Sequence, residues 1–290
     1  MRTSGSSIQL FLFLLLVPIL LTVATNAAPL PTSPEQEMKE RYLGTTKERN
    51  PPWILGFYGA YLDDVGKKVF DKTLSLTQRD VDDLINDNRG QWSIGVYNVT
   101  KNYWKLKDGF RRYKKDTIVL KRLKEPIGNN EMGEVKALKD VGLYIDSGSA
   151  PIGPWKMQVP VILMKKVDGV VMIDTAEFKN ANQQQKVELL EQAKLHVRKQ
   201  VVRWAVTKQL LHAEFNLGNF LVGGRQTATS VSMDTPITKA QLIDFGYPGI
   251  FKVKDDVTEK EVEDWFDLQW ETCTKYGYDG MRAKEAKDKP

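Results

Sequence analysis

Two short apolar segments place the strongest constraint on the fold of this chain. Each of them adjoins acidic or amide residues. Phe220–Val222 and Gln241–Ile243 are too short for helices and are bounded by turn residues, so both are predicted strands. The first follows residues 212–219, which read HAEFNLGN, and the second precedes Asp244-Phe245-Gly246. A loop rich in Gly, Ser and Thr separates them at Gly223 to Lys239. The pattern predicts two strands with acidic and amide side chains at their ends.

The second half of the chain is predicted to be rich in helices. Over Gln185–Leu211 apolar residues recur at steps of three or four, which predicts a helix close to 40 Å long at about 1.5 Å per residue. The stripe consists of Leu190, Ala193, Val197, Val201 and Ala205. The capping box Thr258-Glu259-Lys260-Glu261 predicts the start of another helix. Its apolar face consists of Val262, Trp265, Phe266, Trp270 and Cys273.

The first half of the chain is predicted to be rich in strands. Runs of β-branched, aromatic and other apolar residues between turn signals predict strands at Trp92–Val99, Tyr103–Leu106, Thr117–Leu123 and Val159–Met164. Short helices are predicted at Thr77–Asn86, where Thr77 and Asp80 have the spacing of a helix cap, and at Glu131–Val141. Together the two halves predict an α+β fold.

Glu214, Asn219 and Asp244 are the residue types that phosphoryl transfer from ATP requires. A carboxylate can accept the proton of an attacking hydroxyl, whereas an amide oxygen and a second carboxylate are suitable ligands for Mg²⁺. An acid, an Asn five positions later and an Asp-Phe-Gly after an apolar strand follow each other in the order that kinases use. The same residues are also consistent with a turn at Asn219 and with the ordinary end of a strand at Asp244.

On these residues the chain resembles the protein-kinase-like superfamily, and the resemblance extends upstream in the same order. Lys121, in Ile118-Val119-Leu120-Lys121, is similar to the lysine of the family's third strand. Glu134 lies where the family's helical glutamate would pair with that lysine. A solvated strand lysine is the other interpretation of Lys121. In the family the histidine at the position of His212 has a structural role.

The resemblance also covers the part of the chain that would hold the nucleotide. Residues 160–169, PVILMKKVDG, are similar to the strand and hinge that bind adenine, and they contain Met164, Lys165 and Val167. Gly90 and Gly95 match the first and last glycines of a glycine-rich loop, with Trp92 at the middle position. A turn or a strand bulge explains these glycines equally well.

The resemblance implies a two-lobed kinase-like domain over residues 53–278, with a β-rich N-lobe up to about residue 164 and a shortened helical C-lobe. It also implies binding of ATP and Mg²⁺. The implied catalytic residues are Glu214, Lys121 and Glu134. The implied nucleotide-binding residues are Gly90, Gly95, Lys121, Met164, Lys165 and Val167, and the implied metal ligands are Asn219 and Asp244.

Two departures from the family pattern bear on activity. The family's base is usually Asp, and Glu214 is longer by one methylene; a displacement on the order of 1 Å can cost a hundredfold in rate. Residues 247–290 contain no Ala-Pro-Glu motif and leave room for about one or two helices. The chain is in this respect similar to compact atypical or bacterial small-molecule and sugar kinases.

Three functions are therefore expected as alternatives. The first is an ATP-dependent phosphotransferase that acts on a hydroxyl of a protein or small molecule. The second is a pseudokinase that retains the fold and acts as a binding or effector module. The third is a secreted structural or interaction protein in which the motifs occur by coincidence.

The N-terminus predicts secretion. Arg2 precedes an uncharged apolar run at Leu10–Val23, and the small residues that follow place a cleavage point near Ala27 or Ala28. Since a bilayer span takes about 20 apolar residues, a cleaved signal over residues 1–27 is favoured over a retained anchor. Residues 28–52 and 279–290 are predicted to be a flexible leader and a disordered tail. No stable membrane anchor is expected after cleavage.

Three further features describe the chain that secretion would release: its cysteine content, a glycosylation triplet and its net charge. The single Cys, Cys273, excludes an intramolecular disulfide framework. Asn98-Val99-Thr100 is a glycosylation acceptor triplet if the chain is secreted. The net charge is +5, and removal of residues 1–27 lowers it to +4 because Arg2 is the only charged residue lost.

One basic run stands out from this modest charge. Its members are Arg111, Arg112, Lys114, Lys115, Lys121, Arg122 and Lys124. The aromatic residues Tyr103, Trp104, Phe110 and Tyr113 are interleaved with it. A solvated sheet edge and an anion-facing patch are both consistent with the run. No nucleic-acid motif accompanies it, so no nucleic-acid partner is expected.

Overall fold

The structure is a computed structural model that describes residues 33–86, 93–105, 110–152, 157–223 and 237–271. The predicted signal, the predicted tail, Gly90, Trp92 and Cys273 lie outside these residues. The helices are α1 (Pro34–Leu43), α2 (Asn129–Asp140), α3 (Ala176–Asn180), α4 (Gln183–Lys208) and α5 (259–271). The strands are β1 (Ile54–Phe57), β2 (Val81–Asn86), β3 (Ser93–Val99), β4 (Tyr103–Lys105), β5 (Arg111–Tyr113), β6 (Ile118–Leu123), β7 (Tyr144–Ala150), β8 (Val159–Lys165), β9 (Val170–Val171), β10 (Leu210–His212), β11 (Phe220–Gly223), β12 (Lys239–Leu242) and β13 (Ile250–Val253).

This mixture of helices and antiparallel strands confirms the predicted α+β class. In the described part of the chain, no helix combines the length and the apolar character that a bilayer crossing requires.

A five-stranded antiparallel sheet forms most of the first half, in the order β2-β3-β6-β8-β7. The predicted strands that correspond to β3, β6 and β8 are confirmed. β6 is the central strand, and its Lys121 pairs with Val96 of β3 and Ile162 of β8. β6 and β8 are almost entirely buried because both faces of the sheet are covered, which explains their continuous apolar sequences.

The predicted helix at Thr77–Asn86 is wrong. The cap is present, since the backbone N–H and hydroxyl of Thr77 both donate to the Asp80 carboxylate, at 2.7 and 2.8 Å. Only a single 3₁₀ turn follows at Gln78–Asp80, and the chain then enters β2, which pairs with β3. Pairing with a neighbouring strand satisfies the backbone of β2, and this tertiary effect outweighs the local cap.

Helix α4 is confirmed but ends three residues before the predicted limit of Leu211. Gln209 adopts a left-handed conformation with φ of 52°, which stops the helix. Leu210 and Leu211 continue the apolar pattern, but they lie in β10, at one edge of a three-stranded sheet with the order β1-β13-β10. The third sheet has the order β12-β11-β9 and contains the two strands predicted around the site residues.

Helix α5 closes the core of the second half. Its predicted capping box is confirmed, because the backbone N–H and hydroxyl of Thr258 donate to Glu261 at 2.9 and 2.7 Å. Its aromatic residues Trp265, Phe266 and Trp270 are buried, and all three rings pack against Phe215. Aromatic packing of this kind adds to the stabilisation that burial of the rings provides.

The structure differs from the predicted flexible leader over part of residues 28–52. Helix α1 lies within this range, and its last residue, Leu43, is fully buried. Side chains of α5 bind the backbone here: Trp265 Nε1 donates to the Arg49 carbonyl at 2.8 Å and Gln269 Nε2 donates to the Leu43 carbonyl at 2.9 Å. These partners are distant in sequence, so the local polar composition does not reveal them.

Helix α2 packs against a 3₁₀ turn, Tyr58–Tyr61, at backbone contact distance. A Cβ at Gly59 would lie 2.2 Å from the Asn129 carbonyl oxygen, and a Cβ at Gly133 would lie 2.7 Å from the Gly59 Cα. The Tyr58 hydroxyl also donates to the Asp140 carboxylate at 2.5 Å. Because no side chain separates the two elements at the glycines, their spacing is fixed, and with it the position of α2 beside the large sheet.

Candidate active site

Lys121 joins two carboxylates that come from different elements. Its Nζ lies 2.7 Å from Glu134 Oε1 of α2 and 2.9 Å from Asp244 Oδ1, in the segment that follows β12. The side chains of Lys121 and Glu134 are 8% and 5% exposed, whereas that of Asp244 is 47% exposed. The lysine is therefore held from the protein interior by one carboxylate, and the other carboxylate faces solvent.

The electrostatics of this cluster favour a charged lysine. Burial disfavours the Lys121 ammonium, but the Asp244 and Glu134 carboxylates outweigh this effect and raise the pKa of Lys121. Lys121 in turn lowers the pKa of Asp244. Burial raises the pKa of Glu134, and Lys121 opposes it. The site thus keeps Lys121 cationic and Asp244 anionic at neutral pH.

The backbone at Asp244 has an uncommon conformation, with φ of 61°. Asp tolerates this left-handed region better than most residues, and here its Oδ1 accepts a hydrogen bond from the Gly246 N–H at 3.2 Å. Gly246 also lies close to the cluster, since a Cβ there would be 3.4 Å from Lys121 Nζ. The turn therefore presents the Asp244 carboxylate to Lys121 at short range.

His212 supports this turn from the protein interior. It is fully buried, and its Nε2 donates to the carbonyl oxygens of Ile243 and Asp244 at 3.2 and 3.0 Å. Burial lowers the pKa of His212, so the ring is neutral at pH 7 and acts as a hydrogen-bond donor through one nitrogen. Its ring also packs edge-on against Phe245. The side chain thus holds Asp244 in place, in agreement with a structural role.

Glu214 follows β10 and lies within electrostatic reach of the cluster. Burial raises its pKa to about 7, the Asp244 charge adds to this effect and the Lys121 charge opposes it. Its carboxylate packs against Gly249, where a Cβ would lie 2.8 Å from Oε2. Within the described residues, Glu214 has no hydrogen bond or ion pair. A carboxyl group that is held in place and titrates near pH 7 is suited to accept a proton.

Asn219 lies beside Asp244 through the backbone. The N–H of Ile243 donates to the Asn219 carbonyl at 2.9 Å, and the Asn219 side chain is buried. That side chain makes no hydrogen bond to any residue of the described ranges. The same ranges contain no group of three or more His, Cys, Asp or Glu residues that could hold a metal.

The donor set of Asn219 and Asp244 fits Mg²⁺. This ion prefers oxygen ligands, keeps several of its waters and commonly takes only one or two protein carboxylates together with substrate phosphates. An amide oxygen and one anionic carboxylate match this requirement.

Apart from Lys121, the described residues that are predicted to bind the nucleotide lie on or beside strands of the large sheet. Met164 and Lys165 end β8, and Val167 lies in the segment that leaves the large sheet and enters β9. Gly95 lies within β3 at a register shift, opposite Arg122, next to the strand that carries Lys121. Gly90 is outside the described residues.

Sequence reasoning missed the glycines that allow close approach. Gly249 makes room for Glu214, and Gly59 and Gly133 set the position of the helix that carries Glu134. The dipeptide Pro248-Gly249 is a turn signal that could have drawn attention to Gly249. No local signal distinguishes Gly133 from an ordinary helical glycine.

Comparison with solved structures gives distant similarities. No protein-family model and no curated protein matches the chain. A structure of WbdD with the kinase inhibitor LY294002 shares 14% identity over 60% of this chain and 46% of WbdD, with a TM-score of 0.29. WaaP in complex with acyl carrier protein shares 13% identity over 72% of this chain and 85% of WaaP, with a TM-score of 0.31.

A second structure of WbdD, described as a bifunctional kinase-methyltransferase, shares 13% identity over 55% of this chain and 42% of WbdD, with a TM-score of 0.27. The aligned part thus spans less than half of the length of WbdD. Similarity at this level does not carry an argument about this chain, and the interpretation of the site depends on its own contacts.

Proposed function

We propose that the chain is a kinase-like phosphotransferase that uses Mg²⁺ and ATP. The observation that supports this proposal best is the position of Lys121, on the central strand of a five-stranded sheet, between a buried glutamate of the neighbouring helix and an exposed aspartate. Protein kinases require a strand lysine paired with a helix glutamate, together with an aspartate for the metal. The proposed architecture is two-lobed, with the large sheet in the N-lobe.

Each residue of the site has a defined part in the proposed reaction. Lys121 contacts the phosphates of ATP, and Glu134 holds the lysine in position. Asn219 and Asp244 bind Mg²⁺, which would neutralise charge on the phosphates. Gly90, Gly95, Met164, Lys165 and Val167 are the proposed nucleotide contacts from the first half of the chain.

Glu214 is the proposed base. The oxygen of an acceptor hydroxyl forms a bond to the γ-phosphorus of ATP while the bond to the leaving ADP breaks, and Glu214 accepts the hydroxyl proton. With a pKa of about 7, the carboxylate form that can accept the proton predominates above neutral pH. We therefore expect the transfer rate to rise as the pH rises through about 7.

The proposal includes the acceptor class and the place of action. The acceptor is a hydroxyl of a protein or a small molecule, and the chain is proposed to act after secretion, with its signal removed. In that case ATP must be present in the secretory pathway or outside the cell.

Thermal denaturation with and without ATP and Mg²⁺ tests nucleotide binding. Ligand at a hundred times its dissociation constant stabilises a protein by about 2.7 kcal/mol, which corresponds to a Tm increase of roughly 5–10 °C for a domain of this size. Asp244→Asn is expected to abolish the increase. Asp256→Asn makes the same charge change at an exposed position and should leave it intact. A wild-type chain without any increase would contradict the proposal.

The alternative function is a pseudokinase, which the presence of Glu214 in place of the usual Asp favours. An assay for transfer of radiolabelled phosphate separates an active enzyme from a pseudokinase. Glu214→Gln should bind nucleotide as the wild type does and lose transfer by a factor of about 100 or more. If wild type binds nucleotide but transfers no phosphate to any protein or small-molecule hydroxyl, the pseudokinase is the correct function. Equal transfer by wild type and Lys121→Met would show that the site is assigned wrongly.

A further inference from the structure

The hairpin formed by β4 and β5 has two different faces. On one face Tyr103 is buried, and its hydroxyl donates to Asp146 of β7 at 2.8 Å, which anchors the hairpin to the large sheet. On the other face Trp104 is 42% exposed, and Phe110 beside it is 70% exposed. Large aromatic side chains at this exposure, next to each other, indicate an interaction surface more than a packing surface.

This outer face is also strongly basic. Residues 101–115 contain seven Lys or Arg and one Asp, in a chain whose total net charge is only +5. Four of the cations are exposed on or beside β5, and none of the four forms an ion pair within the described residues. They are Arg111, Arg112, Lys114 and Lys115. We name Trp104, Phe110 and these four cations the hairpin surface.

We propose that the hairpin surface docks on the surface of an anionic phospholipid bilayer. Unpaired cations are attracted to anionic headgroups, and Trp and Phe side chains partition into the interface beneath them. A single-stranded nucleic acid fits less well, because base stacking requires a free aromatic face. Here the rings of Trp104 and Phe110 lie 4.8 Å apart, and the Arg112 guanidinium lies over Trp104 at 5.3 Å.

The docking is peripheral and independent of the proposed phosphotransfer. No site residue belongs to the hairpin surface, so binding to a bilayer and turnover can be measured separately. The surface would bring the chain close to acceptor molecules at a membrane.

Cosedimentation with lipid vesicles tests the proposal. The chain 28–290 is used, because the apolar run at Leu10–Val23 would itself partition into any bilayer. All residues of both described hydrophobic cores lie between Leu43 and Trp270, so this chain retains them. Binding to vesicles with about a third phosphatidylserine in phosphatidylcholine is compared with binding to phosphatidylcholine alone, in about 0.1 M salt.

Two variants remove the two parts of the hairpin surface. Replacement of its four cations by Gln should weaken binding to the anionic vesicles by a factor on the order of 100. Trp104→Ala with Phe110→Ala should weaken it by a factor of about 10. A control variant loses the same four charges at exposed positions elsewhere, through Arg79→Gln, Lys199→Gln, Arg203→Gln and Lys208→Gln, and should bind as the wild type does. Thermal melts verify that every variant folds.

Three results would overturn the proposal. The first is wild-type binding that is equal on anionic and neutral vesicles. The second is a loss in the control variant as large as that in the four-cation variant, which would indicate an effect of net charge alone. The third is full binding by the aromatic variant together with release from vesicles by heparin, which would identify a soluble polyanion as the partner.

Discussion

Glu214 is the residue whose chemistry depends most on its surroundings. A glutamate in water is almost fully ionised at pH 7, whereas burial beside Asp244 raises the pKa of this one to about 7. Gly249 contributes by its lack of a side chain, because its backbone closes one side of the carboxyl group. The carboxyl group thus lies against the backbone at a distance that leaves no room for a Cβ at residue 249.

The raised pKa predicts a pH-dependent cost in stability. Between about pH 4.5 and 7 the folded chain holds a proton at Glu214 that the unfolded chain has lost, so stability falls as the pH rises through this range. Glu214→Gln removes this effect. We expect its stability relative to wild type to be about 2–3 kcal/mol more favourable at pH 8 than at pH 4.5.

Urea denaturation at both pH values measures the difference. Glu191→Gln, on the exposed side of α4, is the control and should show no comparable change. A Glu214→Gln variant whose relative stability is the same at both pH values would show that this carboxyl titrates near its ordinary value.

The buried ion pair between Lys121 and Glu134 predicts that substitutions at these two residues have strongly coupled effects on the free energy of unfolding. Lys121→Met leaves Glu134 buried without its partner, and loss of one member of a buried ion pair typically costs about 3–5 kcal/mol. Adding Glu134→Gln removes the unpaired charge, so the double variant should be more stable than Lys121→Met alone. Unfolding free energies of the two single variants and the double variant give the coupling energy. Additive losses would contradict a direct ion pair.

At the scale of elements, the contact between α2 and the Tyr58–Tyr61 turn predicts an unusual effect of a helical Gly→Ala substitution. Alanine favours helices by about 1 kcal/mol over glycine, but a Cβ at Gly133 would lie 2.7 Å from Gly59 Cα. We expect Gly133→Ala to destabilise the chain by about 1–3 kcal/mol and to reduce stabilisation by nucleotide, since Glu134 is the next residue.

Gly128→Ala at the N-cap of the same helix is the matched control. The added Cβ would come no closer than 3.6 Å to its neighbour, so the substitution should be nearly neutral. If Gly133→Ala stabilises the chain as helix propensity predicts, the two elements are not in contact in solution.

In the elements that were predicted correctly, the local sequence favours the same structure that tertiary packing favours. α5 begins at its capping box, and β6 and β8 have the continuous apolar sequences of buried strands. β2 was predicted as a helix because the cap at Thr77 is a local feature, whereas its pairing with β3 is not. The end of α4 was placed too late because Leu210 and Leu211 are apolar in either conformation.

The candidate site was predictable in part, because some of its residues are marked by local sequence and others are brought together only by tertiary packing. Residue types and order drew attention to Lys121, Glu134 and Asp244, which the structure brings into contact from β6, α2 and the turn after β12. The approach of Gly133 to Gly59, and of Gly249 to Glu214, depends on tertiary packing. No sequence pattern within a single segment encodes it.

At the scale of the whole molecule, residues 43–52 pack against the rest of the chain. We therefore predict that a truncated chain beginning at the expected domain boundary, residue 53, is unstable. The chain 53–290 lacks Leu43, and it leaves Trp265 Nε1 and Gln269 without their backbone acceptors. Burial of one Leu contributes about 1.5–3 kcal/mol, and each unsatisfied buried polar group costs about 1–3 kcal/mol. We therefore expect chain 53–290 to lose at least about 3 kcal/mol relative to chain 28–290 in urea denaturation.

Single substitutions check the same prediction without a deletion. Leu43→Ala should cost about 2–5 kcal/mol, whereas Leu195→Ala, at a side chain that is 62% exposed, should cost less than about 0.5 kcal/mol. Equal stability of chains 28–290 and 53–290 would restore the interpretation of this segment as a loose leader.

The glycine contact beneath α2 has a consequence for control of the site. A helix that touches its neighbouring turn at backbone distance, and is tied to it by Tyr58 and Asp140, has little freedom to swing outward and carry Glu134 away from Lys121. Switching by such a swing would first have to break these contacts. We therefore expect the lysine–glutamate pair to be constitutive, present in every folded copy. Under the proposed function, the supply of nucleotide and acceptor would then govern activity.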